Sequence, residues 1–178
     1  MPSGKNRLYV ALYARGGKPK MPTLEDTYHW ALITGPKHED NREGWRFHAI
    51  STIKSDSTQG WQFEEMKTRL IATRMLLVRV CIGKIEKDDR VRSILRSVPI
   101  RDDTENWNCV YWVKEALQLL KADGRAIGTG ELDWVLVRDT AMAYVKQKRD
   151  EHRFDGQVSM YGDRPPTYDL LEGREKIP

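Results

Sequence analysis

Cysteine is scarce in this chain, and long hydrophobic runs are missing. Only Cys81 and Cys109 occur among 178 residues, which excludes a disulfide-stapled scaffold and a zinc module built on several cysteines. The sequence has no run of about 18 apolar residues, so a transmembrane helix is not expected. Residues 1–10 lack the apolar core, about 7–15 residues long, of a secretory signal. We therefore expect a cytoplasmic location, where both cysteines remain thiols.

A strong excess of one charge is also missing. The chain has 30 Lys and Arg against 26 Asp and Glu, a net charge of +4. Acids and bases alternate, as in residues 84–90, which is typical of a solvated surface rather than a basic stripe. Nucleic acid is therefore not an expected partner. The chain does have six Trp and seven Tyr, enough apolar material to exclude wholesale disorder.

Hydrophobic patterns predict an α+β fold. Five strands are predicted first, and the last of them is continuous and β-branched, as in a strand buried on both faces. Helical spacing then predicts three helices, and this order indicates an antiparallel sheet packed on helices. The predicted strands are 8–13, 28–34, 45–50, 61–65 and 75–82, and the helices are 88–98, 108–120 and 132–148. We place one domain over residues 1–150 and expect a polar C-terminal tail over 151–178, surface-hugging or partly disordered.

Cys109 is the candidate nucleophile. It lies at the predicted start of the helix 108–120, with Asn106 or Asn108 as the N-cap. A helix N-terminus and a neighbouring histidine both lower a thiol pKa, and the free first-turn N–H groups can hold an oxyanion. The alternative is a small buried core residue, the usual fate of a free cysteine. Cys81 lies inside the hydrophobic strand 75–82, where burial is expected to raise its pKa.

His29 and His48 are the candidate base and orienting group. His29 lies near the start of the second predicted strand and His48 lies inside the third. If these strands pair, one ring can contact the thiol while the other orients it. Each histidine could instead be a surface residue or a hydrogen-bonded core residue. His38, in a charged loop, and His152, in the tail, are expected at the surface.

Three short motifs carry a resemblance to a known group. They are Tyr28-His-Trp-Ala-Leu-Ile, Phe47-His-Ala-Ile and Asn108-Cys-Val-Tyr-Trp-Val. Their order resembles the lecithin retinol acyltransferase-like proteins, which are circularly permuted relatives of the NlpC-type papain-like peptidases. The resemblance covers residues 8–120. It implies a circularly permuted papain-like fold, with a small antiparallel sheet against the helix that bears Cys109. It also implies that His29 is the base, His48 the third, polar triad member and Cys109 the nucleophile.

The chain departs from that group in three places. In those acyltransferases the cysteine is followed by Glu-His-Phe-Val, whereas this chain has Val-Tyr-Trp-Val at 110–113. The linker between the two histidine strands, 35–44, is also longer here. The last 30 residues are polar and hold no membrane anchor. We therefore expect a thiol-dependent hydrolase or acyl transferase, an amidase or peptidase rather than a lipid acyltransferase or phospholipase. A non-catalytic binding module on the same fold is the alternative.

The substrate-binding candidates lie beside the thiol and on the first strand. Trp107 and Asn108 precede Cys109, and Trp107 could line a substrate groove, although core packing is the alternative. Tyr9 is a candidate to reach the oxyanion, with Tyr13 as its rival and core or surface packing as the alternative for both. The expected partner is a small-molecule, peptide or acyl substrate, and the chemistry implies no metal or organic cofactor.

Overall fold

Long strands occupy the first half of the chain and helices the second. The computed structural model describes residues 4–37, 43–71, 75–156 and 162–178. Those residues form eight strands in one sheet, together with three α-helices. The strands are β1 Arg7–Ala14, β2 Tyr28–Gly35, β3 Glu43–Ile53, β4 Gln59–Arg69, β5 Leu76–Ile85, β6 Ile127–Gly130, β7 Thr167–Asp169 and β8 Arg174–Ile177. The helices are α1 Asp88–Ser97, α2 Cys109–Asp123 and α3 Trp134–Asp150.

The α+β class is confirmed, and the sheet is mixed rather than antiparallel throughout. Its strand order is β4-β3-β2-β1-β5-β7-β8, and β6 pairs with β5 to the side of this path. The first four strands and β5 pair antiparallel, but β7 runs parallel to β5. Between β5 and β7 the chain passes through α1, α2, β6 and α3, a connection long enough to allow parallel pairing.

The prediction of a polar tail after residue 150 is wrong in part. Residues 167–169 and 174–177 are the strands β7 and β8 of the sheet. Each strand is only three or four residues long and rich in charged side chains, so alternation was too short to be recognised. His152 is exposed, as expected. His38 and half of the linker 35–44, residues 38–42, lie outside the described residues.

Side chains pack on both faces of the sheet, and the buried cluster on one face is much larger than the cluster on the other. Leu8, Val10 and Leu12 of β1 point to the main core, which the three helices cover. Tyr9 and Tyr13 point to a smaller cluster on the opposite face. Strand β5 contributes to both clusters, which confirms that the continuous apolar segment is buried on both faces.

Strands β2 and β3 separate soon after they meet. Their register joins only residues 32–34 to residues 45–47. Strand β3 continues to Ile53, paired with β4 along its whole length. The start of β2, at His29 and Trp30, therefore faces β3 across a gap, and this gap positions the candidate site. Among the described residues, no helix is long and apolar enough to cross a membrane.

Candidate active site

Helix α2 begins at the candidate nucleophile. Asn108 is the N-cap, and its side-chain oxygen accepts a hydrogen bond from the Val110 N–H at 2.9 Å. Asn106, the rival cap, lies outside the helix with a positive φ of 61°. Cys109 is the first helical residue, and its side chain is fully buried in the main core. The predicted placement of the thiol at a capped helix N-terminus is confirmed.

The Cys109 sulfur lies in the gap between β2 and β3. The Trp30 N–H donates to Cys109 Sγ at 3.5 Å, so the sulfur takes the place that a β3 carbonyl would have in a continuous ladder. The sulfur is thus beside the peptide bond that joins His29 to Trp30. Because β2 and β3 separate, the N-terminus of α2 approaches the sheet next to His29, the candidate base.

A chain of hydrogen bonds connects the two candidate histidines to a carboxylate. His29 Nε2 lies 2.7 Å from His48 Nδ1, and His48 Nε2 lies 2.8 Å from Glu64 Oε1. The His48 ring is buried, and the Glu64 carboxylate is about one-third exposed and also faces the Arg46 guanidinium at 3.7 Å. The structure therefore brings His29 and His48 together as predicted and adds a third member, Glu64.

The Glu64 carboxylate determines which nitrogen of each histidine carries the proton. A carboxylate accepts only, so His48 Nε2 is the donor to Glu64, and Nδ1 of neutral His48 must then accept. His29 Nε2 is consequently the donor to His48, which leaves a lone pair on His29 Nδ1. Nδ1 is the ring nitrogen nearer the main chain, and the His29–Trp30 peptide adjoins the Cys109 sulfur. Cys109 Sγ thus lies next to the His29 main chain, while the His29 ring contacts Tyr13 and His48.

Glu64 cannot be identified from the hydrophobic pattern of the sequence alone. It stands directly opposite His48 in the β3–β4 register, and both segments, 45–50 and 61–65, were predicted as strands. Cross-strand pairs on one face are close enough to interact. Finding the pair requires the register, which the loop between these strands determines and the hydrophobic pattern alone does not.

Burial keeps both the base and the nucleophile neutral. It lowers the pKa of His29 to about 3, with smaller contributions from His48, Arg15 and Arg46. The pKa of His48 is lowered by burial too, although the hydrogen bond to Glu64 opposes this. Burial raises the pKa of the Cys109 thiol, opposed by the Trp30 N–H, Arg15 and the first-turn N–H groups. The expected lowered thiol pKa is therefore wrong for this closed state, since desolvation outweighs the helix terminus.

Two cavities flank the site and share Arg15 and Trp61. The first, about 470 Å³, contains His29 in its wall, and the second, about 490 Å³, contains Trp107 and Asn108. Trp107 is largely buried and packs edge to face on Trp61, with ring centroids 5.8 Å apart. Trp107 thus packs in the core and also lines a cavity. We name these two spaces together the cleft.

The first strand brings Tyr13, and not Tyr9, to the histidines. The Tyr13 and His29 ring centroids are 6.0 Å apart, and Tyr13 lines the cavity that contains His29. Tyr9 lies four residues earlier on the same face of β1, about 13 Å away at the usual rise of a strand. Tyr9 lines a different cavity, beneath the Arg79 guanidinium. Of the two tyrosines that the sequence left open, Tyr13 has the geometry of a site residue.

Cys81 provides the expected contrast. It is buried in β5, and burial, followed by the nearby Asp169 carboxylate, raises its pKa to about 12. Such a thiol is almost entirely protonated at neutral pH. Among the described residues, no group of three or more His, Cys, Asp or Glu side chains is arranged to hold a metal ion.

A protein-family model matches almost the whole chain. It covers residues 5–177 and is described as a family of unknown function, DUF6914. No curated protein and no solved structure matches the chain. The matched range includes the sheet, the three helices and the short strands β7 and β8. The family is thus defined over the unit that carries Cys109, the histidines and Glu64.

Proposed function

The chain belongs to the DUF6914 family, and from the geometry of its site we propose that it is a thiol-dependent hydrolase or acyl transferase. One observation carries the proposal: a hydrogen-bonded chain from Glu64 through His48 ends at His29, and the peptide bond between His29 and Trp30 adjoins a thiol at a helix N-terminus. A nucleophile, a base and an orienting group in this order are the parts that acyl transfer through a covalent intermediate requires. The substrate is an amide, ester or thioester.

In the proposed reaction, proton transfer accompanies attack. Cys109 Sγ forms a bond to the substrate carbonyl carbon while its proton moves to His29 Nδ1. The Cys109 backbone N–H, one of the first-turn donors without an intrahelical acceptor, holds the oxyanion. The intermediate then collapses to a thioester, and the leaving group departs with the proton from His29. Water or a second nucleophile attacks the thioester, His29 again accepts the proton, and the thiol is restored.

The resting state favours general-base catalysis over a preformed ion pair. The pKa of His29 is lowered and that of Cys109 is raised, both by burial, so a separated thiolate and imidazolium would be costly in the empty site. His48 and Glu64 become useful once His29 gains the proton, because the Glu64 charge stabilises the cation along the chain.

We assign the fold of this unit to the circularly permuted papain-like class. Three features support the assignment: the chain order of base, orienting residue and nucleophile, the pairing of their two strands, and a helix that begins at the nucleophile. The mixed sheet continues beyond this unit through β7 and β8. We regard those two strands as additions to the papain-like core.

Within this class, an amidase or peptidase is favoured over a lipid acyltransferase. The cavity beside Asn108 is lined by charged side chains of both signs, which suit a polar substrate better than an acyl chain. These side chains are Arg15, Lys18, Lys20, Asp26 and Asp102.

Access to the thiol requires a movement. Cys109 has no exposed surface, so a substrate reaches it only after part of the cleft wall is displaced. The loop 15–24 forms that wall, and Asn108 Nδ2 lies 3.5 Å from Met21 Sδ. The far end of the loop is held at Asp26, whose carboxylate accepts the Lys20 and Met21 N–H groups at 2.7 and 3.1 Å. We propose that this loop opens to admit the substrate.

Trapping of the acyl-enzyme tests the proposal. The protein is incubated with p-nitrophenyl acetate as a general acyl donor, quenched in acid and digested for mass spectrometry. We expect an acetyl group on Cys109 but not on Cys81, and no such adduct in His29→Ala. Release of p-nitrophenol that persists unchanged in Cys109→Ser would contradict the assignment of the nucleophile. Cys81→Ser is the matched control and should acylate as the unmodified protein does.

A non-catalytic binding module remains the second candidate, and one observation favours it. The thiol is fully buried and its pKa is raised, as in a structural cysteine. In that case Cys109 resists both the acyl donor and iodoacetamide at pH 7–9, while small peptides still bind in the cleft. The enzyme proposal instead requires alkylation of Cys109 that becomes faster with rising pH and slower in His29→Ala.

A further inference from the structure

A cavity separate from the cleft lies between β1, β5, β7 and β8, on the sheet face opposite the helices. It encloses about 700 Å³, and we name it the basic cavity. Two acidic residues, Asp169 and Glu172, line it together with six basic ones. The basic residues are Arg7, Lys37, Arg79, Lys84, Arg164 and Lys176.

The basic cavity accounts for the excess positive charge of the chain. Its lining carries a net charge of +4, with six cations against two anions. The whole chain also has a net charge of +4, so the remaining residues are neutral on balance. The two carboxylates are already engaged: Glu172 pairs with Arg174 and Lys176, and Asp169 accepts the Leu171 and Glu172 N–H groups.

Arg7 and Lys84 form an unfavourable pair as they stand. They are direct partners in the β1–β5 register, and like charges opposite each other destabilise a sheet. Among the described residues, neither of them forms an ion pair with a carboxylate, and the Arg7 guanidinium donates to the Lys5 carbonyl oxygen at 2.7 Å. An anion between the two side chains would turn this repulsion into attraction.

Arg79 is held in a fixed orientation in the same cavity. It is almost completely buried, its Nε donates to Thr167 Oγ1 at 2.7 Å, and its guanidinium lies over the Tyr9 ring at 4.7 Å from the centroid. Arg7 is also more than nine-tenths buried. Buried guanidinium groups, fixed by their neighbours, form stronger hydrogen bonds to oxyanions than exposed ones do.

We propose that the basic cavity is a binding site for a small, multiply charged oxyanion of the phosphate type. Its volume is within the range of small-molecule sites, about 300–1,000 Å³. The ligand contacts Arg7 and Lys84, and Arg79 forms the floor. The basic cavity is separate from the cleft, since Tyr9 in its wall and Tyr13 in the wall of the cleft are about 13 Å apart along β1. Binding there therefore does not depend on the thiol chemistry.

Calorimetric titration of the full chain with inorganic pyrophosphate tests the site, at constant ionic strength, with orthophosphate as the second probe. We expect one saturable event that is about tenfold weaker in Arg7→Gln and in Lys84→Gln. Lys146→Gln, which removes an exposed cation of α3, is the control and should bind as the unmodified protein does. Tighter binding of pyrophosphate indicates a diphosphate-like ligand, and equal affinities indicate a single phosphate group.

Thermal unfolding without anion gives an independent readout. Lys84→Gln should raise Tm, since it removes the repulsion with Arg7, and pyrophosphate should then raise Tm less than in the unmodified protein. Absence of pyrophosphate binding up to about 10 mM, a very weak affinity, would overturn the proposal. So would binding that falls equally in Lys84→Gln and Lys146→Gln, because attraction to net charge alone would explain it.

Discussion

A single carboxylate sets the direction of the hydrogen bonds that connect His48 and His29. Glu64 accepts from His48 and His48 accepts from His29, which leaves the lone pair of His29 on Nδ1. Without the carboxylate, each ring could adopt either neutral tautomer, and about half of the arrangements would place the proton of His29 on Nδ1. In the proposed reaction Glu64 is therefore a positioning residue, since it acts through His48.

Glu64→Gln should slow acylation of Cys109 by about 10- to 100-fold while the fold remains intact. The amide can donate to His48 as well as accept from it, so it no longer selects the productive tautomer. The measurement is the acylation rate between pH 6 and 9, together with the urea midpoint. Glu65→Gln is the control, because Glu65 is the next residue of β4 and pairs with Arg96. Equal rates in the two variants would contradict a positioning role.

The buried His29 should make the protein less stable in acid. The unfolded chain binds a proton at His29 near pH 6.5, whereas the folded protein, with a pKa of about 3 for this ring, does not. The free energy of unfolding therefore falls as the pH decreases from 6.5 towards 3, by at most about 1.4 kcal/mol per pH unit from this residue.

His29→Asn should remove that dependence. Urea unfolding at several pH values is the measurement, and the stability difference between the two proteins should shift in favour of the variant as the pH falls. His152→Asn is the control, since His152 is exposed and pairs with Asp155 at the surface. A stability difference that stays constant from pH 7 to pH 4 would be incompatible with a desolvated His29.

At the scale of elements, the site exists because a strand pair and a helix meet at a gap. Strands β2 and β3 pair over three residues and then separate, and the N-terminus of α2 enters between them. The loop 15–24 closes the same gap from the side of Asn108. The rate at which reagents reach Cys109 should therefore depend on this loop more than on the helix.

Met21→Ala should speed alkylation of Cys109 by iodoacetamide about tenfold. The substitution removes the side chain that contacts Asn108 and lowers the free energy needed to open the loop by about 1–2 kcal/mol. Adduct formation is followed by mass spectrometry at pH 8. Met142→Ala, on α3 and also partly buried against the main core, is the control. No acceleration in Met21→Ala relative to this control would mean that access takes another route.

The long elements could be predicted from the sequence and the short ones could not. Strand and helix patterns of hydrophobic residues located the first five strands and the three helices to within a few residues. The same patterns placed Cys109 at a helix start and His29 and His48 on adjacent strands. Strands β6, β7 and β8 are too short and polar for a periodic signal. Glu64 and the burial of Cys109 depend on register and on the loop 15–24, which are tertiary features.

At the scale of the whole molecule, the C-terminal strands are tied to the helical layer by a buried ion pair. The Lys148 ammonium of α3 is almost fully buried and contacts Glu151 at 2.7 Å and Glu175 at 2.5 Å. Tyr144 of the same helix donates to Glu175 at 2.7 Å. Strand β8 is thus joined to α3 by an ion pair and a hydrogen bond, although the segment resembles a tail in its composition.

Glu175→Gln should lower the free energy of unfolding by about 1–3 kcal/mol, because the buried ammonium loses one of its two carboxylates. Urea denaturation is the measurement. Asp150→Asn is the control, since it breaks an exposed pair with Lys146 on the same helix, and its effect should be within about 0.5 kcal/mol. Equal effects of the two changes would show that β8 contributes little to the stability of the domain.

The parallel pairing of β5 with β7 has a consequence for how the protein folds. Arg79 and Thr167, which meet in this pairing, are 88 residues apart in the chain. Contacts between such distant segments are slow to form, so folding is expected to take milliseconds to seconds rather than microseconds. During synthesis, residues 79–81 of β5 cannot pair with β7 until residues 167–169 have left the ribosome.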